Sequence, residues 1–269
     1  MQMEKLNRVV AAIIFLFTTI IYMMTVAPTV SFWDCGEFIA CSYKMAVPHP
    51  PGAPLYLLVG RIFTLIPFPG DVAFHVNLIS VFSSSITVML LYLSIVHVVK
   101  MWKGYTMEKS DWLMAIFSGI IGALTFAFTH SFWFNAAEAE VYAPSMLFTS
   151  LIVYLILSWA EKPDQPGNER YLFIIAYLIG LAIAVHLLNV LALPFVALIF
   201  YYRRYTFKIN TFIYMTLITM AVMLIIYPGI VKKLPLLALE FGAFGLLAFL
   251  LIVFAGAWWA ISNKNHIGT

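Results

Sequence analysis

Charge is what this 269-residue chain has least of: 10% of its residues are Asp, Glu, Lys or Arg, where soluble domains carry about 25%. With 63% hydrophobic residues and a mean hydropathy of +0.97, the composition excludes a soluble globular domain and describes a polytopic membrane protein. The net charge of +3 is small and the basic residues lie in short clusters, so a nucleic-acid surface is excluded as well. Cysteine is also scarce. Cys35 and Cys41 stand six residues apart, and at roughly 100° per helical residue they point away from each other, which argues against a disulfide or a zinc site. No Walker loop, dinucleotide glycine fingerprint or Ser-His-Asp arrangement occurs. Without a long linker, repeat or low-complexity tract, residues 1–269 read as a single transmembrane module.

What the chain does have is long apolar runs. A spanning helix needs ~20 such residues at about 1.5 Å each, and residues 9–27, 72–99, 112–128, 141–160, 209–231 and 241–262 qualify. The first is too long for the core of a cleaved signal and reads as a retained anchor. Residues 171–202 carry no charge; as one helix they would be about 48 Å long against a hydrocarbon core of ~30 Å. They are expected to form two short helices meeting near His186 and Asn189. The fold class is therefore all-α, a bundle of about eight transmembrane helices.

Charge placement supports that count. With the N-terminus cytoplasmic, Lys5, Arg8, Lys100, Lys103, Lys109, Lys162, Arg170, Arg203, Arg204, Lys208 and Lys264 fall inside, and Lys44, Arg61, Lys232 and Lys233 outside, eleven against four. Treating 171–202 as one span leaves nine against six. Trp102, Trp112, Trp133 and Trp159 lie near span ends and read as headgroup-level anchors. His75 and His97 read as packing or interface residues. Residues 161–170 form a polar cytoplasmic turn. Residues 28–71 make the first outer loop, in which 55–67 is too short to cross and is expected to lie along the interface, with Arg61 reaching toward headgroups.

This loop holds the chemistry. Trp33-Asp34-Cys35-Gly36-Glu37 follows the first span, and Pro48-His49-Pro50-Pro51-Gly52-Ala53-Pro54 comes eleven residues later. Asp34 and Glu37 share a helical face. Asp34 is either a base whose pKa is lifted by Phe32, Trp33 and Phe38, or the third-position acid of a capping box begun by Ser31. His49 is held between prolines and is either a phosphate or acceptor contact or a plain loop histidine. Arg61 is the first choice for a phosphate, with Lys44 either a second cation or a snorkelling residue. The second outer loop, 129–141, leads into Glu138, Glu140 and Tyr142. These acids orient an acceptor, hold a divalent metal, or simply favour a helix N-terminus; at about 200° apart on one helix, they are poorly aimed at one ion. His186 and Asn189 either enter the same cavity or satisfy a turn.

The motifs at 33–37 and 48–54, with the acid–tyrosine pattern at 138–142, resemble GT-C glycosyltransferases, and within them a bacterial family related to an animal transmembrane protein O-mannosyltransferase. The resemblance implies a GT-C-like bundle with a juxtamembrane helix in its first outer loop, in a bacterial inner membrane, with an extracytoplasmic active site. It implies transfer of a hexose, expected to be mannose, from a polyprenyl phosphate to a Ser or Thr hydroxyl of an exported protein, with inversion. Asp34 and Glu37 are then catalytic, with Arg61, His49 and Lys44 at the donor phosphate. Glu138, Glu140, Tyr142, His186 and Asn189 organise the acceptor side. No cofactor is required by the resemblance, although a divalent metal is compatible with it, and no metal ligands are assigned. The family's soluble C-terminal region is not found here. The alternatives are a glycosyltransferase acting on an envelope lipid or polysaccharide, a lipid-linked sugar flippase or transporter, and a noncatalytic membrane partner.

Overall fold

A computed structural model describes residues 2–67, 69–104, 106–162 and 167–262. Part of the 161–170 turn and Lys264 lie outside the described residues. Among those described, every regular element is helical. Two compact units result, Met1–Thr206 and Phe207–Thr269.

The first unit is organised around α4 (Val72–Lys103), whose start and stop are written locally. The Asp71 carboxylate accepts the Phe74 N–H at 2.7 Å, and Lys100 and Lys103 complement the dipole in the last turn. Along its length α4 packs against α1 (Gln2–Thr25), α5 (Lys109–Ala127) and α7 (Tyr142–Glu161). Its buried face carries Asn77, Ser80, Ser84 and Ser85 among valines and leucines, and such small polar residues allow helices to approach closely. At one end, Lys100 and His97 meet Glu161, and Lys103 meets Asp111, which brings the ends of α4, α5 and α7 together. His97 is thus a packing residue, as expected, and His75 is buried.

At the opposite end lie the two loops expected to face outward. The first holds α2 (Cys35–Lys44) and α3 (Pro54–Thr64), the short helix expected along the interface. They pack closely because Gly60 has no side chain: a Cβ there would stand 2.2 Å from the Ser42 oxygen, and Ser42 is fully buried. Gly60→Val is expected to lower stability by roughly 1–3 kcal/mol through overpacking. A thermal melt in detergent checks this. The second loop holds α6 (His130–Ala136).

The apolar tract 171–202 divides as expected. α8 (Arg170–Ile183) ends before His186, and a 3₁₀ turn (Leu187–Leu191) leads into α9 (Ala192–Arg204). Trp159 departs from its expected role. It is fully buried and stacks on Phe200 at 5.5 Å, so it joins α7 to α9 instead of lying at a headgroup layer. Trp102, 75% exposed, remains available for that role.

In the second unit, α10 (Ile209–Leu224), a π-helical segment (Ile225–Val231) and α11 (Lys232–Ser262) follow one another directly. A loop was expected around Lys232 and Lys233; the helix runs through both, and its break falls at Gly242, with φ 56° and ψ −148°. Pro228 supplies no N–H, and the wider π turn is a local way of accommodating such a gap in the ladder. Among the described residues, six helical runs are long and apolar enough to cross a membrane, where eight spans were expected. α8, at 14 residues, falls short of spanning length, and residues 209–256 form one run.

Candidate active site

The first outer loop is pinned to the second by hydrogen bonds from residues that look unremarkable in the sequence. Asn77, fully buried on α4, donates to the carbonyls of Ala27 and Thr29 at 2.8 and 3.0 Å. The Ala27 N–H reaches the Ala137 carbonyl at 2.8 Å, and Ser31 donates to Glu138 Oε2 at 2.6 Å. Ser31 is therefore not the cap of α2. Asp34 occupies that position without a side-chain cap bond, so the capping box does not form. Asn77 was missed in the sequence, and its one signal was an amide within an apolar span, where polar side chains pair or serve a site.

Four segments meet at a small cavity of about 80 Å³. Asp34 comes from the start of α2, His49 from the proline loop, Glu140 and Tyr142 from the entry to α7, and His186 from the break after α8. Five of the ten residues singled out by sequence thus line one space. A larger cavity of about 430 Å³ lies next to it, with Tyr142 and His186 lining both. Its other walls include Phe126, Phe132, Ser145 and Asn189. The Tyr142 and His186 rings are 5.3 Å apart.

The electrostatics differ from the expected pattern in one respect. Phe32 and Trp33 are 81% and 86% exposed, and Asp34 is exposed with them, so those rings do not desolvate its carboxylate. Burial falls on Glu140. Its pKa is pushed up to about 7, chiefly by loss of water, with Asp34 and Glu138 adding repulsion and the Val141 N–H, at 3.3 Å, opposing. Cys35, whose thiol lies 3.9 Å from Glu140 Oε1, is likewise pushed up to about 12 by burial and by the two glutamates.

Glu37 turns both oxygens to His49, one to the backbone N–H and the other to ring Nδ1, each at 2.7 Å. The hydrogen bond raises the His49 pKa and lowers that of Glu37. Glu37 is thus a positioning residue that favours the imidazolium. In Glu37→Gln the His49 titration, followed by ring NMR, is expected to move to lower pH, because the group favouring its protonated form is gone. Below that loop, the turn from His49 is closed by the Gly52 N–H to the His49 carbonyl at 3.0 Å, with Gly52 at φ +73°, a conformation glycine adopts without a Cβ clash.

Asn189 is fully engaged. It donates to the Ala182 and His186 carbonyls and accepts from Ser145 and Thr149, all within 3.0 Å, which fixes the break carrying His186 against α7. Arg61 and Lys44 do not line the small cavity. Arg61 donates to the Tyr43 carbonyl at 2.7 Å and lies over the Tyr43 ring, capping the end of α2, and Lys44 is exposed.

Among the described residues, one group has metal-ligand proximity, Asp34, Glu37 and His49, whose donor atoms lie within 4.8 Å of one another. Glu138 and Glu140, the pair weighed for a metal in the sequence, have diverged toward Ser31 and Cys35. In the first group, Glu37 already hydrogen-bonds the His49 backbone N–H and ring Nδ1, so an ion there would compete with the latter bond unless it used Nε2.

The described residues are helical, with apolar runs of membrane-spanning length that mark an integral membrane protein, and an acidic, histidine-bearing cavity lies at one end of the first unit. More narrowly, residues 34–209 match the family model described as "Protein O-mannosyl-transferase TMEM260 N-terminal domain", and the chain belongs to that family. It is 31% identical over 167 residues to "Protein O-mannosyl-transferase tmem260" of Dictyostelium discoideum, covering 60% of this chain and 18% of that protein. It is 28% identical over 171 residues to "Protein O-mannosyl-transferase TMEM260" of Mus musculus, covering 63% of this chain and 22% of that protein. The chain thus matches about a fifth of the length of these curated relatives. No solved structure matches it.

Proposed function

We propose that this chain is the membrane-embedded catalytic portion of a protein O-mannosyltransferase of GT-C type. It takes mannose from a polyprenyl phosphate and passes it to a Ser or Thr hydroxyl of an exported protein, in a bacterial inner membrane with the site facing outward. The observation that carries the reading is the convergence of Asp34, His49, Glu140, Tyr142 and His186 on one cavity at the end of the bundle where both outer loops meet. The names of the relatives supply the reaction class. The charge distribution supports the orientation, and the apolar-walled cavity beside the site is suited to the start of an isoprenoid tail. Eight spans remain the proposed topology, with α8 and α9 as a short hairpin.

In this mechanism Asp34 takes the proton of the acceptor hydroxyl as its oxygen attacks the anomeric carbon. The bond from that carbon to the phosphate oxygen breaks, and polyprenyl phosphate leaves with the electron pair. One displacement inverts the anomeric configuration. His49, whose protonated form Glu37 favours, stabilises the departing phosphate. Glu140, near half-protonated at neutral pH, donates a hydrogen bond on the acceptor side. Arg61 supports α2, a change from the donor-phosphate role expected of it. The test is transfer of labelled mannose to an acceptor peptide by the purified chain. Transfer from polyprenyl phosphate mannose and none from a nucleotide-linked mannose is the expected result; the reverse preference overturns the donor assignment.

A further inference from the structure

At the end of the first unit remote from Asp34, a cavity of about 620 Å³ opens between α1 and α7 over the face of α4. Nothing in the proposed transferase mechanism uses it. One part of its wall is apolar, formed by Ala11, Ala12, Met89 and Leu93. Its mouth is charged: Arg8, Lys100 and Lys162 stand against Glu4 and Glu161. Met89 and Lys100 are eleven residues apart on one helix, so the change from apolar to charged takes about 16 Å along α4.

The charges at the mouth are unequally engaged. Lys100 and His97 both bind Glu161, at 2.8 and 2.9 Å, which holds that carboxylate in place and spends its charge. Lys162 contacts the Tyr171 hydroxyl, a neutral partner. Arg8 is exposed, and no hydrogen bond or ion pair engages it among the described residues. Among the described residues lining the cavity, three cations stand against two carboxylates, which leaves room for one negative charge, and a guanidinium binds a phosphodiester well through paired hydrogen bonds. The Trp112 ring, 6.0 Å from the Lys100 ammonium, also lines the cavity and fits a headgroup-level position.

We propose that this groove is a binding site for an anionic glycerophospholipid, with its phosphodiester at Arg8 and Lys162 and an acyl chain lying along Ala12, Met89 and Leu93. The lipid fills the gap between α1 and α7, which both pack on α4, and ties the two helices together at that end. The volume is within the range of about 300–1,000 Å³ typical of ligand cavities.

The test titrates the full chain in a neutral detergent with dioleoyl phosphatidylglycerol and dioleoyl phosphatidylcholine, read by native mass spectrometry. Phosphatidylglycerol is expected to bind preferentially, and the Arg8→Gln, Lys162→Gln double variant to weaken it about tenfold without changing phosphatidylcholine binding. Ala12→Trp, at an exposed position, blocks the apolar wall and is expected to reduce phosphatidylglycerol binding with an unchanged melting temperature. If the double variant does not fold, Arg8→Gln alone, an exposed change, carries the test. Equal binding of the two lipids, or an unchanged affinity in the variants, overturns the proposal. Competition by millimolar sn-glycerol 3-phosphate as effective as that by lipid assigns the mouth to a soluble phosphate and also overturns it.

Discussion

Asp34→Asn is expected to lower mannose transfer by roughly 10²- to 10⁴-fold, the scale of a lost general base. Folding should be almost untouched. Asn is as good a residue as Asp before the first helical turn, and here the side chain makes no cap hydrogen bond to lose. Asp34 is also exposed, so the amide meets no desolvation penalty. The expected signature is a collapse in kcat with the melting temperature and donor binding retained, measured by labelled-sugar transfer and by thermal melting of the same preparation. Equal turnover by wild type and variant removes Asp34 from the role of base. A second consequence follows from proximity: Asp34 is one of the charges raising the Glu140 pKa, so the variant should titrate Glu140 at lower pH.

Much of this architecture was legible because it rests on signals that act along the chain. The apolar runs, the length of 55–67 and the excess length of 171–202 anticipate α1, α4, α5, α7, the surface helix α3 and the break before His186. The final run did not follow its charges. Lys232 and Lys233 looked like a loop, but a helix carries them without difficulty, and the break went to Gly242, where the backbone dihedrals need glycine. The composition of the site was partly visible too. Acids and histidines are conspicuous against an apolar background, and Asp34, His49, Glu140 and His186 meet, with Tyr142 beside them. What the sequence did not reveal was which acid is dry. Flanking aromatics pointed to Asp34, yet Phe32 and Trp33 turn outward, and the burial falls on Glu140 instead. Desolvation is a tertiary property. Pairing is tertiary as well: twelve residues separate Glu37 from His49, and nothing local says that both carboxylate oxygens will serve that histidine.

Glu140 gives the pH dependence its sign. Its folded pKa of about 7 lies above the ordinary value of 4.5, so the unfolded chain releases this proton at lower pH than the folded one. The contribution to stability is therefore fully present below pH 4.5 and is lost as pH rises through about 7. Two and a half pH units correspond to about 3 kcal/mol at the alkaline end, an upper figure because water reaches the cavity mouth. Wild-type protein should thus melt at progressively lower temperature between pH 5 and pH 8. Glu140→Gln keeps the size of the side chain and the neutral character of the protonated acid, so its melting temperature should fall less over the same range, with the His49–Glu37 pair supplying the slope that is left. At pH 8 the variant is expected to be the more stable protein, and at pH 5 the two should be close. Scanning calorimetry in detergent at both pH values checks the crossing. A wild-type melting temperature that is flat from pH 5 to 8 would show that Glu140 ionises as easily in the folded protein as in water. In that event the cavity is wet at Glu140, and the role of this acid as a neutral hydrogen-bond donor on the acceptor side loses its electrostatic basis. If the slope is present, the same titration should appear in the transfer rate. Mannose transfer that falls as Glu140 ionises marks a hydrogen-bond donor on the acceptor side, whereas transfer that rises through pH 7 moves the role of base from Asp34 to Glu140.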